Sequence, residues 1–196
     1  MHRGMVALLM AGGALALASC DKAQRTEDQA AKPAEAKAAI DHKDPVASAM
    51  AAAPAAIAAD ALIVAANPAG TMKVLRDGKN GWTCMPDNPK TPGRDPMCMD
   101  ANALKWAEAW MAHKQPPANN VGLMYMLAGG SDASNMDPFG TEPAQGHEWV
   151  ETGPHVMVVG SDSLNALYPT GPKPDTTKPY VMFGGTPYAH VMMPVE

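Results

Sequence analysis

Hydrophobic residues along this chain fall in short bursts separated by glycine- and proline-rich breaks. The first burst, residues 5–18, is apolar throughout apart from Gly12 and Gly13 and is followed by Cys20. Residues 21–44 carry almost no large apolar side chain. They bury too little surface to offset the entropy of ordering, so a flexible tether is expected there. Asp44-Pro45 then has the form of an N-cap followed by proline at the first helical position. An alanine-rich helix should run from it to about residue 59, kinked or split in two at Pro54. Residues 61–66 (ALIVAA) predict a buried strand. Asn67-Pro68-Ala69-Gly70 supplies turn chemistry. Residues 71–76 and 81–85, joined by a turn at 77–81, predict two more strands of a β-meander.

Residues 86–96 hold four prolines between Cys84 and Cys98 and predict a long loop. The clearest helix spans residues 100–114: Asp100 is its cap, Leu104, Ala107 and Met111 share a face, and Trp106 and Trp110 lie one turn apart. Residues 121–128 (VGLMYMLA) are apolar on both faces and predict a central strand. Residues 129–146 predict a long polar loop, and residues 155–159 another strand. A helical turn is expected at 161–168 and a proline-rich loop at 171–178. Strands at 180–183 and 189–195 close the chain. These elements add up to an α+β domain: a mostly antiparallel sheet of about six strands, one or two packed helices and one disulfide.

The start of the chain gives the organisation. Arg3 followed by the short apolar run has the form of a secretory signal peptide, too short to span a bilayer at about 20 residues. Leu17-Ala18-Ser19-Cys20 resembles the lipobox of bacterial lipoproteins. That resemblance implies cleavage before Cys20, lipidation of its thiol, and a protein held to the bacterial cell envelope by the lipid, facing the periplasm or exterior. The expected organisation is a signal peptide at 1–19, a lipidated Cys20 with a tether at 20–44, and one domain at 45–196. Residues 81–86 (GWTCMP), 153–157 (GPHVM) and 179–183 (PYVMF) resemble an uncharacterised family of bacterial exported proteins, a likeness that brings no chemistry with it.

Composition narrows this further. The net charge of −5 and the lack of a basic cluster argue against a nucleic-acid partner. In an oxidising compartment Cys84 and Cys98 are expected to pair, with free buried thiols or a metal pair as the alternatives. There are 16 methionines and only two phenylalanines. Methionine fills irregular core gaps, and its thioether also binds soft metals.

Several groups of residues carry candidate chemistry. His155 and Met157 alternate by two, as do His190 and Met192, so each pair shares a strand face. Were the strands neighbours, two imidazoles and two thioethers would suit copper. His147-Glu148-Trp149-Val150-Glu151 starts like a zinc-protease motif but has glutamate in place of the second histidine and glycines that deny the required helix. Asp132, Ser134, Asn135 and Asp137 put oxygen ligands into one loop, which suits either calcium or side chains that cap their own turns. No G-x-S-x-G elbow is present, and the Gly129-Gly130-Ser131-Asp132 segment lacks its context. Asp137, Glu148, His147 and His155 are the acid–base candidates for a hydrolase. Of the aromatic residues, Trp149 and Tyr188 sit beside loops and, with Asp137 and Glu148, are the candidates for a ligand face. The balance favours a non-catalytic binding or interaction domain for an envelope protein or small ligand. A copper-binding protein is the first alternative and an envelope hydrolase the second.

Overall fold

The computed structural model describes residues 44–67 and 71–195. The stretches expected to form a signal peptide and a tether, with Cys20, lie outside the described residues up to residue 43. Asp44 opens helix α1 (Pro45–Met50): its carboxylate accepts the Val46 and Ala47 N–H groups. Pro54 lacks an amide donor to continue the ladder, and the chain restarts as the single turn α2 (Ala55–Ala58). The alanine-rich segment is thus split. Its small side chains let Ala49, Ala52 and Ala58 sit flush on the sheet, all buried with Ile63.

Among the described residues the sheet has eight strands, where about six were expected. In chain order they are β1 (Leu62–Ala66), β2 (Met72–Arg76), β3 (Thr83–Met85), β4 (Met97–Met99), β5 (Gly122–Met126), β8 (His155–Val159), β9 (Tyr180–Met182) and β10 (His190–Pro194). Two further strands, β6 (Gly130–Asp132) and β7 (Val150–Thr152), form a separate antiparallel ribbon. The spatial order of the sheet is β2-β1-β3-β4-β5-β8-β10-β9. Every adjacent pair is antiparallel except β1 and β3. The sheet strand that the sequence pattern did not mark is β4, which follows directly on the proline-rich loop, while β6 and β7, outside this sheet, fall in and beside the stretch expected as a polar loop.

The expected meander is also replaced. β3 does not pair with β2; the chain crosses the start of β1 and pairs parallel with its other side. Gly78 makes the crossing, for a Cβ there would lie 2.0 Å from the Leu62 nitrogen and 2.4 Å from the Ala61 carbonyl carbon. Lys79 N–H to Asp60 O and Leu62 N–H to Trp82 O fix it.

Helix α3 (Ala101–Met111) covers one face of the sheet. The Asp100 carboxylate accepts the Asn102 and Ala103 N–H groups and, through its other oxygen, the Leu123 N–H, so one side chain both caps α3 and ties it to β5. Gly122 lets the first turn of α3 lie on the strand; a Cβ there would be 2.2 Å from the Ala103 nitrogen. Beneath α3 the core is largely methionine. Met99, Met124, Met157 and Met192 stand in one continuous cross-strand row, with Met126 and Met182 in the flanking rows. The opposite face is covered in two patches, by α1 and α2 at one end and at the other by the turn α4 (Asp162–Asn165) over Val158, Val181 and Val191. Cys84 and Cys98 are directly opposed on β3 and β4, and they form the expected disulfide. Among the described residues no helix is long and apolar enough to cross a membrane.

Candidate functional site

The proline-rich excursion between β3 and β4 is built outward from the disulfide. Asp95 is its internal hub: one carboxylate oxygen accepts the Asn88 N–H at 2.8 Å and the other the Thr91 hydroxyl at 2.7 Å. Its own N–H donates to Asp87 Oδ1 at 2.8 Å. The Asp87 N–H in turn donates to the Ser48 hydroxyl at 3.0 Å, which fastens the loop to α1. Between the loop and the start of α1 lies an open groove of about 730 Å³, walled by Pro45, Pro86, Pro89 and Pro92 and bearing Asp87 and Arg94. The volume lies within the range of small-ligand sites, about 300–1,000 Å³. Proline fixes φ, so the walls are stiff before any ligand arrives.

Behind the loop, β6 brings a second carboxyl group close to Asp95. Burial pushes Asp132 up to about 7, and the Asp95 charge adds to the rise. Asp95 is raised to about 6, first by burial and further by Asp87, against the hydrogen bonds from Thr91 and Asn88. Across the ribbon, the Thr152 and Tyr180 hydroxyls are 2.6 Å apart in the core. Burial, with a contribution from Asp132, raises the Tyr180 phenol above its ordinary value.

The His and Met candidates lie on the α3 side of adjacent strands β8 and β10. Met157 is directly opposite Met192. The antiparallel register places His155 opposite Pro194 and His190 opposite Val159, so an imidazole stands at each end of the thioether pair. All four residues are buried. His155 Nδ1 is 2.7 Å from the Gly153 carbonyl oxygen, and His190 Nδ1 is 2.9 Å from that of Tyr188. A carbonyl only accepts, so Nδ1 carries the proton in both rings and Nε2 presents its lone pair. Burial lowers the pKa of His155, and lowers that of His190 to about 4, where the nearby His155 charge acts in the same direction. Both rings are neutral near pH 7. His155 Nε2 is buried with no hydrogen-bond partner. Its ring edge faces Gly130, where an added Cβ would lie 3.0 Å from His155 Cε1.

The remaining candidates are dispersed. His147 and Glu148 line a pocket of about 130 Å³ with Ser134. The Ser134 hydroxyl accepts the Met136 and Asp137 N–H groups. Asp137 is exposed and accepts the Phe139 N–H. Asn135 donates to the Gly171 and Val181 carbonyls and so covers the β9 edge. These residues cap their own turns and tie loops together. Trp149 is half-buried. Tyr188 is buried against Trp106 and Phe139, with its hydroxyl donated to the Lys114 carbonyl. Among the described residues no three His, Cys, Asp or Glu side chains gather to hold a metal ion.

Sequence reasoning singled out the proline loop as pinned but not as a ligand wall. The usable signal was a stiff segment bracketed by two cysteines. The Asp95–Asp132 pair carried no such signal, since it forms only when β6 folds against the loop. No family model, curated protein or solved structure matches the chain.

Proposed function

We propose that this protein is a lipid-anchored binding domain of the bacterial envelope, without catalysis, whose ligand occupies the groove between α1 and the proline-rich loop. The observation that carries this reading is the construction of the groove. Four prolines wall it, Asp95 and Asp87 lock its loop from inside, and a disulfide closes its base. A surface ordered in advance loses little entropy on binding, the general route to useful affinity from modest contact area. Among the described residues the groove wall carries an Asp and an Arg but no His, Cys or Tyr, a set suited to orienting a ligand rather than to proton transfer. The lipobox-like Leu17-Ala18-Ser19-Cys20 supports the envelope anchor.

Photo-crosslinking in intact cells tests the reading. A crosslinking amino acid at Pro89 or Pro92 should trap a discrete envelope component that the same group at Lys173, outside the groove, does not. Equal labelling at all three positions, or none, would overturn the groove as the ligand site.

A further inference from the structure

We propose that the outer edge of β2 docks an extended segment of another protein in which apolar residues flank an acidic one. This edge shares no residue with the groove, so each reading stands or fails alone.

β2 and β9 end the sheet, and the chain treats the two edges differently. The β9 edge is sealed. Val181 donates its N–H to the Pro169 carbonyl, and its own carbonyl accepts the Asn135 amide and the Thr170 hydroxyl. The Phe183 N–H goes to the Asn135 carbonyl. Among the described residues nothing comparable lies along the outer side of β2. An open edge presents a row of N–H and C=O groups to any strand that fits it.

The hairpin register identifies those groups. The Asn67 N–H donates to the Thr71 carbonyl, which makes these two residues a bonded rung. Rungs of an antiparallel pair alternate between bonded and non-bonded. Lys73 opposite Ala65 is therefore bonded, whereas Met72 opposite Ala66 and Val74 opposite Val64 are not. The N–H and C=O groups of Met72 and Val74 accordingly point away from β1, into the open edge. Their side chains are also exposed, Met72 at 42% and Val74 at 53%. Lys73 is exposed between them, on the other face of the strand, and makes no ion pair among the described residues. The Arg76 guanidinium is turned inward, to the carbonyls of Ala58 and Ala61.

The same pattern selects the occupant. Strand addition draws affinity from main-chain bonds and specificity from alternate side chains. Residues directly opposed across a rung share a face, so the added strand needs apolar side chains beside Met72 and Val74 and an acidic one beside Lys73. Neither β1 nor β2 holds an acidic residue to answer that charge. A second copy of the chain fits poorly. One antiparallel register sets Met72 opposite the copy's Val74 and hence Lys73 opposite its own counterpart, and like charges directly opposed destabilise a sheet. Registers shifted toward the end of β2 run past Leu75, which the irregular pairing with β1 leaves unopposed, and those shifted the other way run off its start. Lys73 thus works against self-pairing and in favour of an acidic strand.

The test uses the full chain with the disulfide intact and Cys20→Ser, and the probe is a capped peptide, Thr-Val-Glu-Val-Thr, followed by amide NMR. The peptide should shift the Met72 and Val74 amide resonances. At roughly ninefold excess over its dissociation constant it should slow their hydrogen exchange about tenfold. A Thr-Val-Lys-Val-Thr peptide should bind about fivefold more weakly, the scale of cross-strand charge pairing. Lys73→Glu should reverse that order. Val74→Pro removes an outward N–H and no bond to β1, a change that an edge strand tolerates, and should abolish binding of both peptides. Unmoved Met72 and Val74 amides at about 1 mM peptide, equal binding of the two peptides, or retained binding by folded Val74→Pro would each overturn the proposal. Slowed exchange at the same amides without peptide, together with a doubled mass, would overturn it in favour of a second copy.

Discussion

Reducing the Cys84–Cys98 bond should weaken the domain by an amount its loop length sets. The bridge joins residues 14 apart, and tying the ends of such a segment removes entropy from the unfolded chain worth about 3 kcal/mol. For a domain of this size each kcal/mol moves the thermal midpoint by about 2–4 °C, so reduction should lower it by about 6–12 °C. Both cysteines are fully buried, so a Cys84→Ala/Cys98→Ala variant adds a cavity loss to the loop term. The reduced parent is therefore the cleaner measurement, with free thiols verified by mass after alkylation. The consequence for the groove is separate and local. Asp95 and Asp87 hydrogen bonds remain but lose their closed base, so trypsin should cut after Lys90 and Arg94 faster in the reduced form. A thermal midpoint within about 2 °C of the oxidised protein, with both thiols confirmed free, would refute the entropic account. Unchanged cleavage would show that the hydrogen bonds alone hold the loop.

Gly78→Ala should destabilise the fold by about 3 kcal/mol, the upper end of overpacking penalties, because the added carbon meets the backbone at Leu62 and Ala61 rather than a side chain that can move. A urea midpoint near that of the parent would contradict the crossing of β1. Asp132 has its carboxyl raised from 3.8 to about 7, so between those values the folded state holds more protons than the unfolded and stability falls as pH rises. His155 and His190 act in the opposite sense: their lowered pKa values make stability rise with pH up to about 6.5. The two trends overlap below about pH 6.5, and Asp95, raised to about 6, adds to the Asp132 arm, so the comparison isolates it: the thermal midpoint of the parent relative to that of Asp132→Asn should fall as pH rises from about 4 to 7; parallel curves would refute the assignment.

What the sequence disclosed depended on whether a signal was local. Asp44, Pro54 and Asp100 act within a few residues of themselves, and the helix starts and the break they imply are found where expected. The apolar run 121–128 marks a strand with neighbours on both sides, and β5 has them. The cysteine pair marks its own loop. Strands β4, β6 and β7 lie in or beside stretches rich in proline, glycine and polar residues and become strands only through partners elsewhere in the chain. Gly78 reads as an ordinary turn residue, and nothing nearby in sequence says that it must pass over Leu62 rather than fold back along β2.

The same limit separates two statements about the His-x-Met units. That His155 shares a face with Met157, and His190 with Met192, follows from a period of two and needs no partner. That the methionines meet while the histidines stand apart follows only from the antiparallel register of β8 and β10. A shift of that register by two residues would keep every side chain on its present face yet bring a histidine opposite a methionine. Burial therefore leaves this detail open among registers of equal parity. The closure of β10 between β8 and β9, with Met192 opposed to both Met157 and Tyr180, selects one of them. The arrangement of these four side chains is thus a property of three strands together, and no single stretch of the chain carries it.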